Sequence, residues 1–225
     1  MKKLLSLVMI ITLVIAGLYA GGGKESTSEP VAAPAVESAG TVTSSGNVKS
    51  AEVQENVNYK DTVIIGIAND VNNLNPQGSN TDANMMVFYL THERLVNIDP
   101  DTGKVIPALA TEWTVSADGC VYDFTIAEGA TFTDGTPLTA EDVKYTYDKA
   151  KESSFAAQKV ADVISTEVID STHLRVTLKK ANQDWLTLMA HGGMSIMSKA
   201  ACEKDATNGP RLGSGMFSLE EWVPG

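Results

Sequence analysis

No aromatic residue occurs between positions 21 and 58, and that gap decides where a fold can begin. The stretch is built mainly from Gly, Ser, Thr, Ala, Pro, Val and Glu. Such a composition cannot bury enough apolar surface to offset the entropy of ordering its backbone. It reads as a disordered linker over residues 21–60. What precedes it is a separate module. Lys2 and Lys3 give a positive start, residues 4–16 are nearly all apolar, and Gly17-Leu18-Tyr19-Ala20 ends the run on a small residue. A membrane span needs about 20 apolar residues, so this pattern predicts a secretory signal peptide over residues 1–20, cut near Ala20. An uncut membrane anchor is the alternative. The folded part is then residues 61–225, in a product that is periplasmic or secreted.

The chain has 225 residues, a net charge of −11 and 43 % hydrophobic residues. That suffices for a real core. The acidic balance argues against nucleic acid, which needs a basic face, and against an anionic lipid surface. Cys120 and Cys202 would meet an oxidising compartment, where a pair can bridge. Cys120 sits at a predicted strand start and Cys202 in a predicted helix, and they are read as isolated, mostly buried thiols.

Val63-Ile64-Ile65-Gly66-Ile67-Ala68 is short, apolar and β-branched, which predicts a buried strand. The Asn-rich stretch that follows is a loop. Residues 82–95 place Met85, Met86, Tyr89 and Leu90 at helical spacing, as a stripe facing the core. Hairpins come next. Asp99-Pro100-Asp101-Thr102-Gly103 separates two short apolar runs, and Asp118-Gly119 separates Glu112-Trp113-Thr114-Val115 from Val121-Tyr122-Asp123-Phe124-Thr125-Ile126. In the latter, Tyr122, Phe124 and Ile126 should share one buried face, and Trp113 is expected in the core. Thr139-Ala140-Glu141-Asp142 predicts a helix start, with Val143, Tyr147 and Ala150 on its inner face. Residues 173–179 alternate again, with Leu174, Val176 and Leu178 inward. Residues 184–190 and 198–205 read as short helices, and residues 215–222 as a final strand. The plan is α/β with much antiparallel pairing.

Chemistry is sparse. His92, His173 and His191 share no metal-ligand spacing, and neither cysteine lies near the other in sequence. No Gly-x-Ser-x-Gly elbow occurs. Gly213-Ser214-Gly215 is too short for a phosphate loop and no Lys follows it. Asp134, Glu141 and Asp142 are explained by turn and helix-cap chemistry. Neither a metal nor a cofactor is expected. These residues alone describe a secreted α/β protein that binds something.

The order of motifs resembles a known family. Leu74-Asn75-Pro76, His92-Glu93-Arg94-Leu95-Val96 and Pro107-Ala108-Leu109-Ala110-Thr111-Glu112-Trp113 are similar to the opening of the family 5 extracellular solute-binding proteins of ABC importers. The block from Gly129-Ala130-Thr131-Phe132 through Asp134-Gly135-Thr136-Pro137 to Ala140-Glu141-Asp142-Val143 is the most specific part, and Gly213-Ser214-Gly215-Met216-Phe217 matches a later element. The resemblance implies a periplasmic-binding-protein-like fold, type II with an extra small subdomain, of which residues 61–225 would form the first lobe only. It also implies capture of a peptide or similar small solute and delivery to an ABC permease in the inner membrane. Relatives with a lipid anchor carry a cysteine after the leader, where this chain has Gly21. Relatives also continue for about the same length again beyond the position of Gly225. By resemblance the ligand borders Gly78, Asn80, Thr81 and Asp82 in one loop and His191, Gly192, Gly193 and Met194 in another. Helix capping by Thr81 or Asp82, and a satisfied half-buried imidazole at His191, are the competing roles. A secreted hydrolase or an adhesion module is the competing function; the first lacks a visible nucleophile and base, the second a repeat or a disulfide framework.

Overall fold

A computed structural model describes residues 62–224, so the predicted leader (1–20) and linker (21–60) lie outside the described residues. The elements are α1 (Asp82–Thr91), β1 (Val96–Ile98), β2 (Val105–Pro107), β3 (Ala110–Val115), β4 (Val121–Ile126), α2 (Ala140–Glu152), β5 (Val163–Val168), β6 (His173–Leu178), α3 (Trp185–Met189) and α4 (Lys199–Lys204). Helices and antiparallel strands mix as the α/β reading requires.

The main sheet has the order β3-β4-β6-β5, every pair antiparallel. Tyr122, Phe124 and Ile126 of β4 and Leu174, Val176 and Leu178 of β6 are all buried, on the face the alternation selected. Against that face lie Val143, Tyr147 and Ala150 of α2 and the fully buried Trp185 of α3. Trp185 is the hub, with ring centroids 4.6 Å from Tyr122, 6.1 Å from Phe124 and 6.5 Å from Tyr147. Trp113, opposite Phe124 in the ladder, is only half-buried and packs on the rim of this core. The outer face is polar, with Arg175 making paired bonds to the Asp123 carboxylate at 2.6 and 3.0 Å.

Turn chemistry holds where it was expected. Asp99 Oδ1 accepts from the N–H of Thr102 and from its hydroxyl, at 2.7 and 2.8 Å, closing the β1–β2 hairpin. Asp134 Oδ1 does the same for Thr136 at 2.9 and 2.6 Å. At the start of α2, Asp142 Oδ2 accepts the Thr139 N–H at 2.9 Å. The other oxygen of Asp142 accepts the Lys199 N–H at 2.9 Å, tying α2 to α4. Thr146 extends this seam, since its hydroxyl accepts the Met197 N–H at 2.9 Å and its carbonyl accepts from Gln77 Nε2 at 2.8 Å.

Several expectations fail. Residues 63–68 form no strand and are exposed, Ile64 at 91 %. A strand needs a neighbour to take its N–H and C=O groups, and none among the described residues pairs with it. Residues 215–222 form no strand either. The N–H groups of Gly215 and Phe217 donate instead to Thr91 O and Leu90 O, at 2.9 and 3.2 Å, so this segment lies along the end of α1. The first helix ends at Thr91 rather than 95, because His92 is extended and buried and leads into β1. Its inner stripe is Ala83, Asn84, Met85, Phe88 and Thr91, whereas Met86 and Tyr89 are exposed. Both cysteines are free as expected, Cys202 buried and Cys120 half-buried.

Candidate functional site

The loop before α1 is ordered by its own asparagines. Asn73 Oδ1 accepts the Asn75 N–H at 2.7 Å, and Asn75 Oδ1 accepts the Gln77 N–H at 2.9 Å. The fully buried Asn84 of α1 closes the wrap, with Oδ1 accepting the Thr81 hydroxyl at 2.8 Å and Nδ2 donating to Asn73 O. Short polar side chains compete with regular backbone pairing in this way and so define loops. Thr81 precedes the helix, but its hydroxyl makes no capping bond. Asn80, Thr81 and Asp82 are exposed, while Gly78 is half-buried, and a Cβ there would lie 2.5 Å from Asn73 Nδ2, so the Asn73 side chain would have to shift.

The second predicted set forms a 3₁₀ turn, Gly192–Met194. This turn packs on the first loop and on α1. A Cβ on Gly193 would lie 3.5 Å from Pro76 O, and one on Gly192 would lie 2.8 Å from Met85 Sδ. The fold therefore brings together two segments more than a hundred residues apart in sequence. It also separates their members. Met194 is fully buried in the main core, Gly192 is buried against Met85 and Tyr89 and Gly193 against Pro76, so only His191 of this set reaches the surface.

His191 is held in one tautomer. Its Nδ1 accepts the Gly193 N–H at 2.9 Å, which leaves the proton on Nε2. Burial lowers its pKa, and the charges of Lys159 and Arg94 add to that. Beside it the Tyr89 hydroxyl accepts the Gly192 N–H at 3.2 Å. Arg94 lies over the Tyr89 ring, 4.7 Å from its centroid. Tyr89, Arg94 and Lys159 were not among the predicted site residues. No pattern in the sequence around them, such as Thr91-His92-Glu93-Arg94, marks them as a group.

A cleft of about 520 Å³ lies between the first loop, α2 and α4, lined by Gln77, Tyr145, Lys149, Met197 and Cys202 among others. None of the predicted ligand residues borders it.

With this geometry in view, comparison with known proteins decides the family. Residues 104–225 match the bacterial extracellular solute-binding proteins, family 5, over the middle region of that family. The chain belongs to this family. It is 30 % identical over 178 residues to the probable D,D-dipeptide-binding periplasmic protein DdpA of Escherichia coli K12, covering 74 % of this chain and 34 % of the relative. It is 28 % identical over 165 residues to the glutathione-binding protein GsiB of Escherichia coli O157:H7, covering 71 % of this chain and 32 % of that protein. Among solved structures, the murein tripeptide binding protein MppA of Escherichia coli superposes with a TM-score of 0.64 at 25 % identity, over 70 % of this chain and 35 % of that one. The chain thus spans about a third of the length of these relatives, rather than the half that the resemblance implied. The fold is that of the periplasmic binding proteins.

Proposed function

We propose that this chain is part of the extracytoplasmic substrate-binding component of an ABC transporter, capturing peptides or similar small solutes for import. Membership of the family 5 solute-binding proteins is the observation that carries this reading. DdpA, GsiB and MppA are named for a dipeptide, glutathione and a murein tripeptide, ligands of one chemical kind. Residues 61–225 contribute to the first lobe, and the ligand rests against the surface formed by Gly78, Asn80, Thr81, Asp82 and His191. Gly192 and Gly193 shape that surface from below, and Met194 supports it from the core. A receptor of this type closes over its ligand and releases it to the permease on reopening, which requires only that the closed state bind more tightly. No catalytic group enters the scheme.

Export follows from the leader, so the mature chain begins near Gly21 on the outer side of the inner membrane. N-terminal sequencing of the exported protein checks this; an intact Met1 or a lipidated N-terminus overturns it. Calorimetry of the full-length protein against a peptide library tests the function. His191→Ala and Asp82→Ala should each weaken binding. If neither does, the residue assignment fails, and if no peptide binds while a sugar or a metal chelate does, the ligand class fails.

A further inference from the structure

Arg94 is a buried cation with no carboxylate in ion-pair contact among the described residues. Its side chain is 6 % exposed, in a chain whose net charge is −11. Its Nε and Nη2 both donate to Asn97 Oδ1, at 2.9 and 2.5 Å, and Nη1 donates to the His92 carbonyl at 3.3 Å. All of these acceptors are neutral, and the guanidinium also lies over the face of Tyr89. Among the described residues no carboxylate lies within ion-pair distance of it, although Glu93 bears on it from farther away. Buried charges in proteins are paired as a rule, because desolvation is otherwise uncompensated. Lys159 repeats the pattern, and its charge acts on the same imidazole, His191, as that of Arg94. It is half-buried, its ammonium donates to the Phe155 carbonyl at 3.1 Å, and it too has no carboxylate partner among the described residues.

The uncharged groups beside these cations are arranged as donors. His191 spends Nδ1 on the Gly193 N–H, so Nε2 carries its proton and has no partner among the described residues. Tyr89 spends an oxygen lone pair on the Gly192 N–H, so its own O–H remains available, and the residue is 46 % exposed. Cations with uncommitted donors and no nearby acceptor make a site for negative charge.

Building on the receptor reading above, we infer that Arg94, Lys159, His191 and Tyr89 receive a carboxylate group of the ligand. His191 and Tyr89 donate hydrogen bonds to the carboxylate oxygens. Arg94 and Lys159 supply the field, with Arg94 fixed by Asn97 and by its stacking on Tyr89. The site therefore selects solutes that carry at least one free carboxylate at this end, and it disfavours amidated or neutral counterparts.

The test uses the full-length protein and two kinds of probe. Succinate is titrated against sodium chloride at equal ionic strength, following the imidazole resonances of His191. A bound carboxylate beside the ring, where burial and the charges of Lys159 and Arg94 now hold the pKa down, should raise the titration midpoint of His191 in succinate but not in chloride. Lys159→Gln should weaken succinate binding about tenfold, through loss of one of the two charges that supply the field. Arg94→Gln should do at least as much, and because Arg94 is buried the half-buried Lys159 provides the check if that variant does not fold. Resonances of His191 that ignore succinate, or an unchanged affinity in Lys159→Gln, overturn the inference. Tri-alanine and tri-alanine amide form the second arm. The free acid should bind at least about tenfold more tightly, and Lys159→Gln should remove the difference. Equal binding of both leaves the receptor reading standing and defeats the carboxylate site. Binding of succinate with neither peptide bound defeats the peptide reading and supports the carboxylate site.

Discussion

The sheet with α2 and α3 and the segments around α1 solve the same problem in different ways. In the sheet region every strand finds a ladder partner, and apolar side chains from β4, β6, α2 and α3 meet around Trp185. Around α1 the second apolar cluster is small, with Val71, Leu74 and Ala83 at its centre and Leu219 and Trp222 packed against them. Val63, Ile64 and Ile65 nearby are exposed, at 79, 91 and 56 %, as are Met216 and Phe217 at 84 and 57 %. Order there comes from polar contacts: the asparagine wrap, the Gly215 and Phe217 bonds to α1, and the Trp222 Nε1 bond to Val71 O at 3.1 Å. A hydrophobic core gains from every apolar atom it adds, whereas a polar scaffold depends on each partner being in place. The candidate ligand surface sits on the second kind of region, where loops can present donors outward.

The largest expected effect strikes the hub of the first region. Trp185→Ala removes the ring that touches Tyr122, Phe124 and Tyr147, and it should cost about 3–5 kcal/mol in urea unfolding. Trp185→Phe should cost much less, because the indole Nε1 has no partner to lose. Equal costs would mean that the hub is held by something other than apolar packing.

Acid should strike the second region next. His92 is buried between α1 and the residue 210 segment, and its Nε2 donates to Pro210 O at 3.0 Å. Burial lowers its pKa from the ordinary 6.5 to about 4, with the nearby Arg94 charge acting the same way. Above pH 6.5 both folded and unfolded states are neutral at this residue. Between pH 6.5 and 4 only the unfolded state takes up the proton, so stability should fall with pH by about 3 kcal/mol, then level off. Glu93, whose pKa is raised by burial, acts in the opposite sense and blunts the slope. Urea midpoints across this range should fall steeply in the unaltered protein and less steeply in His92→Gln.

Gly213→Ala probes how the last segment is seated. A Cβ there would lie 1.8 Å from Thr91 O, a backbone atom that cannot swing away. Overpacking of this kind should cost about 1–3 kcal/mol. Hydrogen exchange should show faster exchange at Gly215 and Phe217, with β4 and β6 unchanged if the regions are as separable as their contacts suggest. Loss of protection in the sheet would tie them together, and the Asp142 and Thr146 seam is where the coupling would pass.

The smallest effect is expected for Ile64→Ala. At 91 % exposure the change should stay within about 0.5 kcal/mol. The same substitution at Ile126, which is 1 % exposed, should cost about 2–5 kcal/mol. A large cost at Ile64 in urea unfolding would show that residues 63–68 are buried in solution after all.

What the sequence determined by itself was local. Alternation placed the inner faces of β4 and β6, because side chains on a strand alternate whatever the partner. Asp99, Asp118, Asp134 and Thr139 marked turns and a helix start, because their side chains bond backbone a few residues away. The motif order identified the family, and the two segments proposed to border the ligand pack against each other where Gly193 meets Pro76. Tertiary structure decided the rest. Residues 63–68 have strand chemistry, yet a strand exists only where another supplies its hydrogen bonds. Met86 and Tyr89 share helical spacing with Met85, but which side of a helix is buried depends on what packs there. Asn84 gave no sign of binding a loop eleven residues earlier. Gly213 is required by a carbonyl more than a hundred residues away, and Met194 belongs to the core rather than the surface. Arg94 became a site candidate only when it proved to be buried with no carboxylate in ion-pair contact among the described residues. Periodicity and turn chemistry act over a few residues and are written in order along the chain, while burial, close approach and charge pairing depend on contacts between segments that the order does not reveal.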